Sequence, residues 1–271
     1  MPTINNSYAG SAARGLTWIS IRRRAGRLKG AMSNAFVEKL RGNGALTAEE
    51  AALLEAACAR QRDVPAGHDL IREGDKPGPL FVILDGWACR YKALPEGTRQ
   101  ITALLMPGDF CDMHAGVLDE MDHSIATLTP ARVAVVSRAR IEELIDTRPA
   151  IMRAFWWTQL VDEGVLRAWI VSMGRRNSLQ RVAHLMCELY VRAHNIGLVG
   201  GGGLELPLTQ RVLSDALGLT PVHVNRVLRR LRLAGAMELE AGRLMISDVA
   251  VLAAIAGFDD NYLHRRIGRA A

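Results

Sequence analysis

The residues with the most chemical content lie between positions 209 and 246. Thr220-Pro221-Val222-His223-Val224-Asn225-Arg226 opens with a hydroxyl that can cap a helix, then a proline at the first helical position, where a missing amide donor does no harm. At helical spacing Val224, Val227, Leu228 and Leu231 form one apolar face, leaving His223, Asn225, Arg226, Arg229, Arg230 and Arg232 for the outer surface. Just upstream, Leu206-Pro207-Leu208 reads as a short strand and Thr209 caps a first helix with Val212, Leu213, Ala216 and Leu217 inward. Gly218 stops that helix and Leu219 fills the corner. Two helices about three residues apart around an apolar corner predict a helix-turn-helix, whose second helix enters the DNA major groove by its N-terminal residues. Met237 to Ile246 adds two short strands around Ala241-Gly242, a wing. The chemistry is hydrogen bonding to base edges and phosphates, with no covalent bond made or broken.

Other reactive side chains are scattered. Cys58, Cys89, Cys111 and Cys187 lie far apart with no Cys-x-x-Cys pair, so neither a disulfide framework nor a cysteine-only zinc or iron-sulfur site is expected. His68, His114 and His123 precede the long helix; His114 with Cys111 could ligate heme, against the plainer reading of a small buried thiol and loop histidines. Cys187 carries the same two readings, redox-sensitive thiol or buried structural residue. A cupin-type metalloenzyme would need a close His-x-His pair, and there is none.

The elements that must carry the DNA-reading helix follow from periodicity and charge. The 271 residues suggest two domains at roughly 150 residues each, and no uncharged apolar run reaches the ~18 residues of a membrane span. Residues 1–33 hold six basic and no acidic residues, residues 34–173 hold 15 and 20, and residues 174–271 hold 13 and 8. The net +6 therefore divides into a basic tail, an acidic middle at −5 and a basic C-terminal third at +5, the part suited to a polyanion. The tail lacks a signal-peptide pattern; Met32, followed at once by a capped helix pattern from Ser33 to Leu40, is an alternative start, and a phosphate-touching basic arm is the rival reading.

Thr47-Ala48-Glu49-Glu50 forms a capping box opening a helix to about Arg60. From Val64, short runs at Asp69–Ile71, Leu80–Leu84, Trp87–Leu94, Arg99–Met106, Ile125–Leu128 and Arg132–Ser137 alternate with Gly, Pro and Asp turns, which predicts a compact antiparallel roll. After Pro149 the period is helical, and Ile151, Phe155, Thr158, Val161, Val165 and Trp169 form a seam that must pack on its own domain or on a second copy. A further helix is expected over about 177–193, then a glycine loop.

Together, Ile71-Arg72-Glu73-Gly74-Asp75, Phe81-Val82-Ile83-Leu84-Asp85-Gly86, Pro107-Gly108-Asp109-Phe110, the long helix and the winged helix-turn-helix resemble the Crp/Fnr family of bacterial transcription regulators over roughly residues 45–255. The resemblance implies an α+β fold: a jelly-roll-like antiparallel β-roll sensor at 34–148, a dimerisation helix at 149–173, and a winged helix-turn-helix domain at 174–271. It implies a cytoplasmic homodimer that reads two-fold related half-sites in double-stranded DNA and meets RNA polymerase, with no membrane role and no enzymatic activity. It turns the seam towards a dimer interface, and a hinge is expected around Met173-Gly174-Arg175.

Family members that bind cAMP carry a Glu for the ribose and an Arg, then Ser or Thr, for the cyclic phosphate. The matching positions here are Met113, His123 and Ser124, beside His114, in the expected effector pocket. Methionine is a weak acceptor and a neutral imidazole lacks the bidentate fork, which argues against cAMP. In the recognition helix Arg226 matches the family's usual arginine and can bond guanine O6 and N7, whereas Val222 offers only apolar contact, as to a thymine methyl. His223 and Asn225 are secondary base or phosphate contacts, Thr209, Gln210 and Arg211 meet phosphate, and Arg229, Arg230 and Arg243 supply sequence-independent charge.

Overall fold

The structure is a computed structural model that describes residues 34–42, 46–111, 118–200 and 203–264. The basic tail and its alternative start lie outside the described residues.

Two short helices come first. Asn34 caps α1 (Ala35–Arg41), and the expected capping box of Thr47 and Glu50 closes both ways on α2 (Ala48–Ala57). Eight strands follow: β1 (Gln61–Val64), β2 (Asp69–Ile71), β3 (Leu80–Asp85), β4 (Ala88–Ala93), β5 (Arg99–Leu105), β6 (Phe110–Cys111), β7 (Ser124–Thr127) and β8 (Ala131–Val136). They pair antiparallel in two sheets, ordered β1-β8-β3-β6 and β2-β7-β4-β5. Phe81, Ile83 and Val133 face the second sheet, where they meet Ala88, Leu105 and Ile125. Their neighbours Leu80, Val82, Ala134 and Val136 face the helices instead. Both faces of β3 are thus buried, which is why Leu80 to Leu84 runs apolar without alternating.

Helices α3 (Arg138–Thr147) and α4 (Pro149–Arg175) lead from the roll to α5 (Ser178–Asn195). The C-terminal part continues with β9 (Val199–Gly200), β10 (Gly203–Glu205), α6 (Gln210–Leu217), α7 (Pro221–Leu233), β11 (Met237–Glu240), β12 (Arg243–Ile246) and α8 (Val249–Ala256), then a 3-10 turn at Asn261–Leu263. The short strand falls at Gly203–Glu205 rather than at 206–208, because Leu204 and Glu205 pair with Leu244 and Arg243. A third sheet, β11-β12-β10-β9, results.

The face of α4 expected to meet a second chain is packed within this one. Ile151, Phe155 and Thr158 are fully buried and Val165 nearly so. Phe155 stacks edge-on against Phe110 of β6 at 5.1 Å and sits 6.0 Å from Phe36 of α1. Trp169 is held by Glu188, and Val161 is half-buried. The roll offers these residues an apolar surface in their own chain, which sequence periodicity alone does not distinguish from a partner helix. The exposed apolar residues of α4 are Trp156, Leu160, Leu166, Ile170, Val171 and Met173, with Ile170 at 71% exposure. Trp156, Leu160, Ile170 and Val171 share one side of the helix.

Two glycines of α4 have opposite surroundings. A Cβ at Gly164 would lie 2.6 Å from the carbonyl oxygen of Tyr262, whereas Gly174 has nothing within 4 Å. Gly164→Ala is expected to cost about 1–3 kcal/mol through overpacking, and Gly174→Ala to add up to about 1 kcal/mol of helix propensity. Urea unfolding of the two variants checks both signs.

Candidate nucleic-acid interface

Each cap expected around the two helices forms. Thr209 Oγ1 accepts from the Val212 amide at 3.2 Å, and Thr220 Oγ1 accepts from the His223 amide at 3.2 Å. Gly218 ends α6 in the left-handed conformation, φ 60° and ψ 41°, which an L side chain resists. Val224, Val227 and Leu231 are buried, while Leu228 is half-buried. Val222, Asn225, Arg226, Arg229 and Arg230 project from α7 into solvent, and Thr209, Gln210 and Arg211 are exposed where α6 begins. Ala241 and Gly242, both at positive φ, turn the wing. Arg243 on β12 is half-buried and donates to the Gly200 carbonyl at 3.2 Å, so it is tied to β9.

His223 departs from its expected outward position. It is half-buried, with Nε2 3.0 Å from Ser178 Oγ, because the first turn of α7 lies beside the start of α5 and the imidazole points between them. The segment expected to hinge, Met173-Gly174-Arg175, is helical throughout. Helix α4 continues through Gly174 to Arg175, and the chain turns extended at Arg176, φ −82° and ψ 139°. That corner is held by Arg181 of α5, which donates to the carbonyls of Met173 at 3.1 Å, Arg176 at 3.3 Å and Leu217 at 2.7 Å. The cavity beside it, lined by Trp169, Met173, His184 and Leu217, is only about 10 Å³.

A polar cluster that periodicity does not reveal joins roll and head. Asp109, in the turn before β6, is 4% exposed. Its Oδ1 accepts from Lys39 Nζ of α1 at 2.6 Å; its Oδ2 accepts from the Met106 amide at 2.9 Å and from Arg192 of α5 at 2.8 Å. Burial pushes this carboxyl upward, but Lys39 and Arg192 more than offset that and hold it below its ordinary value. Arg192 also donates to the Leu104 carbonyl at 2.9 Å and lies 3.5 Å from Glu188. Glu188 is fully buried and accepts from Trp169 Nε1 at 3.1 Å and from the Tyr262 hydroxyl at 3.0 Å. Burial raises its pKa in spite of these partners. A second bond between roll and head joins Arg99 of β5 to Asp215 of α6 at 2.8 Å. The visible signal for the cluster was Glu188 and Arg192, four residues apart on one side of an apolar helix.

In the expected effector region, Met113 and His114 lie outside the described residues. Ser124 is buried and its hydroxyl accepts from the Glu73 amide at 3.0 Å, while His123 Nδ1 is 2.6 Å from Asp122. All four cysteines are buried. Burial pushes the thiols of Cys58 and Cys89 up to about 11 and that of Cys187 up to about 12, which disfavours thiolate chemistry there. Among the described residues no group of three His, Cys, Asp or Glu side chains could hold a metal ion, and no helix is long and apolar enough to cross a membrane.

An antiparallel roll joined by a long helix to a winged helix-turn-helix defines a class of DNA-binding regulator. Residues 61–148 match the cyclic nucleotide-binding domain, and residues 180–255 match the Crp-like helix-turn-helix domain. The chain belongs to the Crp/Fnr family of transcription regulators. It is 27% identical over 217 residues to the transcriptional activator protein FnrL of Cereibacter sphaeroides, covering 79% of this chain and 86% of that protein. It is 28% identical over 192 residues to the nitrogen fixation regulation protein FixK of Bradyrhizobium diazoefficiens, covering 70% and 79%. The structure of FixK2 from Bradyrhizobium japonicum superposes with a TM-score of 0.66 at 22% identity, covering 73% of this chain and 98% of that one.

His184 gives the head a pH dependence. Buried between Phe258 and Tyr262, its imidazole is pushed down to about 4 by burial, assisted by Arg176. The unfolded chain takes up this proton near pH 6.5 and the folded chain does not, so stability falls with pH across that interval. From about pH 7 to about pH 5 the loss is about 2 kcal/mol. The raised carboxyl of Glu188 works in the opposite sense, so the difference between wild type and His184→Phe in urea midpoints at the two pH values isolates the imidazole; equal pH slopes would refute the assignment.

Proposed function

We propose that the chain is a sequence-specific, homodimeric transcription regulator that does not respond to cAMP. The observation that carries the reading is the outer face of α7: Val222, Asn225, Arg226, Arg229 and Arg230 stand free on a helix capped at its start and braced against α5 and α6. Arg226 reads guanine through O6 and N7, Val222 adds apolar contact, and Asn225 contacts a base or phosphate. Thr209, Gln210, Arg211, Arg229, Arg230 and Arg243 meet phosphate. His223 orients α7 through Ser178. The chain works in the cytoplasm, where it meets RNA polymerase as the family resemblance implies.

The non-cAMP reading is supported by Met113 and His123 at the nucleotide-anchor positions, and by a Ser124 hydroxyl already engaged with the Glu73 amide. Dimerisation uses the exposed side of α4, Trp156, Leu160, Ile170 and Val171, rather than the seam packed on the roll. A two-fold dimer then presents two α7 helices to half-sites about one or more helical turns apart.

Selection of duplexes from a random pool tests the reading directly, and a two-fold related consensus is the expected result. On such a duplex Arg226→Ala is expected to cost about 1–3 kcal/mol and to leave random-duplex binding nearly unchanged, whereas Arg243→Ala weakens both alike. Equal losses for Arg226→Ala on the two duplexes would count against base reading. Sedimentation of the double variant Leu160→Glu/Ile170→Glu is expected to show a folded monomer; a variant still dimeric would remove this face from the interface.

A further inference from the structure

We propose that Arg192 is a positioning residue through which the roll sets the orientation of the DNA-binding helices, independently of the chain connection through α4. The inference rests on the reading that α7 binds DNA. Arg192 lies in the segment matching the helix-turn-helix domain, and its two roll acceptors, the Leu104 carbonyl and Asp109, lie in the segment matching the cyclic nucleotide-binding domain. Its side chain is 16% exposed, so these bonds are largely shielded from water.

The turn it grips is fixed in the roll. Gly108 N–H donates to the Ile83 carbonyl at 2.8 Å, and Ile83 N–H donates to the Asp109 carbonyl at 2.8 Å. On the other side Ala35 of α1 leaves no room for a Cβ at Gly108, and Lys39 holds the second carboxylate oxygen of Asp109. The position of Arg192 is therefore dictated by the β5–β6 turn.

Helix α5 carries that position to the reading end. From Ser178 to Arg192 is roughly 20 Å of helix. At its start Ser178 contacts His223 of α7, and Arg181 clamps the ends of α4 and α6. Helix α5 also packs directly on α7. A rigid rod pinned to the roll at one end and to the recognition helix at the other converts a shift of the β5–β6 turn into a tilt of α7. Because a buried guanidinium–carboxylate pair is strongly penalised when half broken, the contact has two discrete arrangements, joined or parted. Linkage makes the effect reciprocal: DNA bound at α7 must alter the turn.

The test uses the full chain and a duplex selected by it from a random pool, with backbone amide exchange at residues 104–111 read with and without duplex. Wild type is expected to change protection there on binding DNA. Arg192→Gln, and Arg192→Lys, which keeps the charge but ends one bond short of the Nη2 that donates to both the Leu104 carbonyl and Asp109, are expected to lose that response and to change duplex affinity by about fivefold or more. Tyr262→Phe removes a bond to Glu188 without touching the roll, and is expected to keep the response; it separates positioning from a general loss of stability, and Arg192→Lys keeps the test valid where Arg192→Gln folds poorly. A duplex bound by wild type with no change at 104–111, or an unchanged response in Arg192→Lys, overturns the proposal alone. A protein that selects no duplex overturns the reading of α7 and this proposal with it.

Discussion

A carboxylate withdrawn from water must be matched by cations and amide donors, and Asp109 is where that requirement organises the molecule. Its two oxygens recruit α1 through Lys39, the β5–β6 turn through Met106 and α5 through Arg192. Removing either cation would leave a buried charge short of a partner, at a cost of about 3–5 kcal/mol. Three elements distant in sequence are therefore obliged to meet at one atom pair. The aromatic cluster of Phe36, Phe110 and Phe155 lies beside it and supplies the apolar wall that makes the matching strict.

Helix α4 is constrained from more than one side. Its inward face completes the core under the first sheet, and Gly164 admits the backbone at Tyr262. What remains is a strip from Trp156 to Val171 with no cover among the described residues. The corner after it, where the chain turns extended at Arg176, is a knot of carbonyls around the Arg181 guanidinium.

Local signals were legible in the sequence where physics acts over a few residues. The Thr47, Thr209 and Thr220 caps, the Gly218 stop, Pro221 at the first helical position and the Ala241-Gly242 turn each depend on near neighbours, and each forms. Six of the eight strands of the roll were equally readable from the run-and-turn pattern; β1, whose first three residues are polar and exposed, shows no apolar alternation, and two-residue β6 has too few residues to show a period. What could not be read was which of two apolar surfaces a seam prefers: Ile151 and Phe155 fit a mate or a roll equally well by spacing. His223 illustrates the same limit, since a polar residue on the solvent side by periodicity can be turned inward by one hydroxyl on another helix. Long-range ion pairs such as Arg192 with Asp109, 83 residues apart, leave only an oblique trace in sequence, a charged pair on a buried helical face.

Tyr262 lies beyond the end of the matched helix-turn-helix domain, yet its hydroxyl reaches Glu188 and its backbone rests against Gly164 of α4. The last described turn of the chain thus fastens the head to the helix that precedes it, while Arg192 and Arg99 fasten the same head to the roll. In such an arrangement a separate melting transition of the winged domain is not expected: heat has to release the C-terminal turn, α5 and the β5–β6 turn together, and the two matched domains are expected to unfold as one cooperative unit.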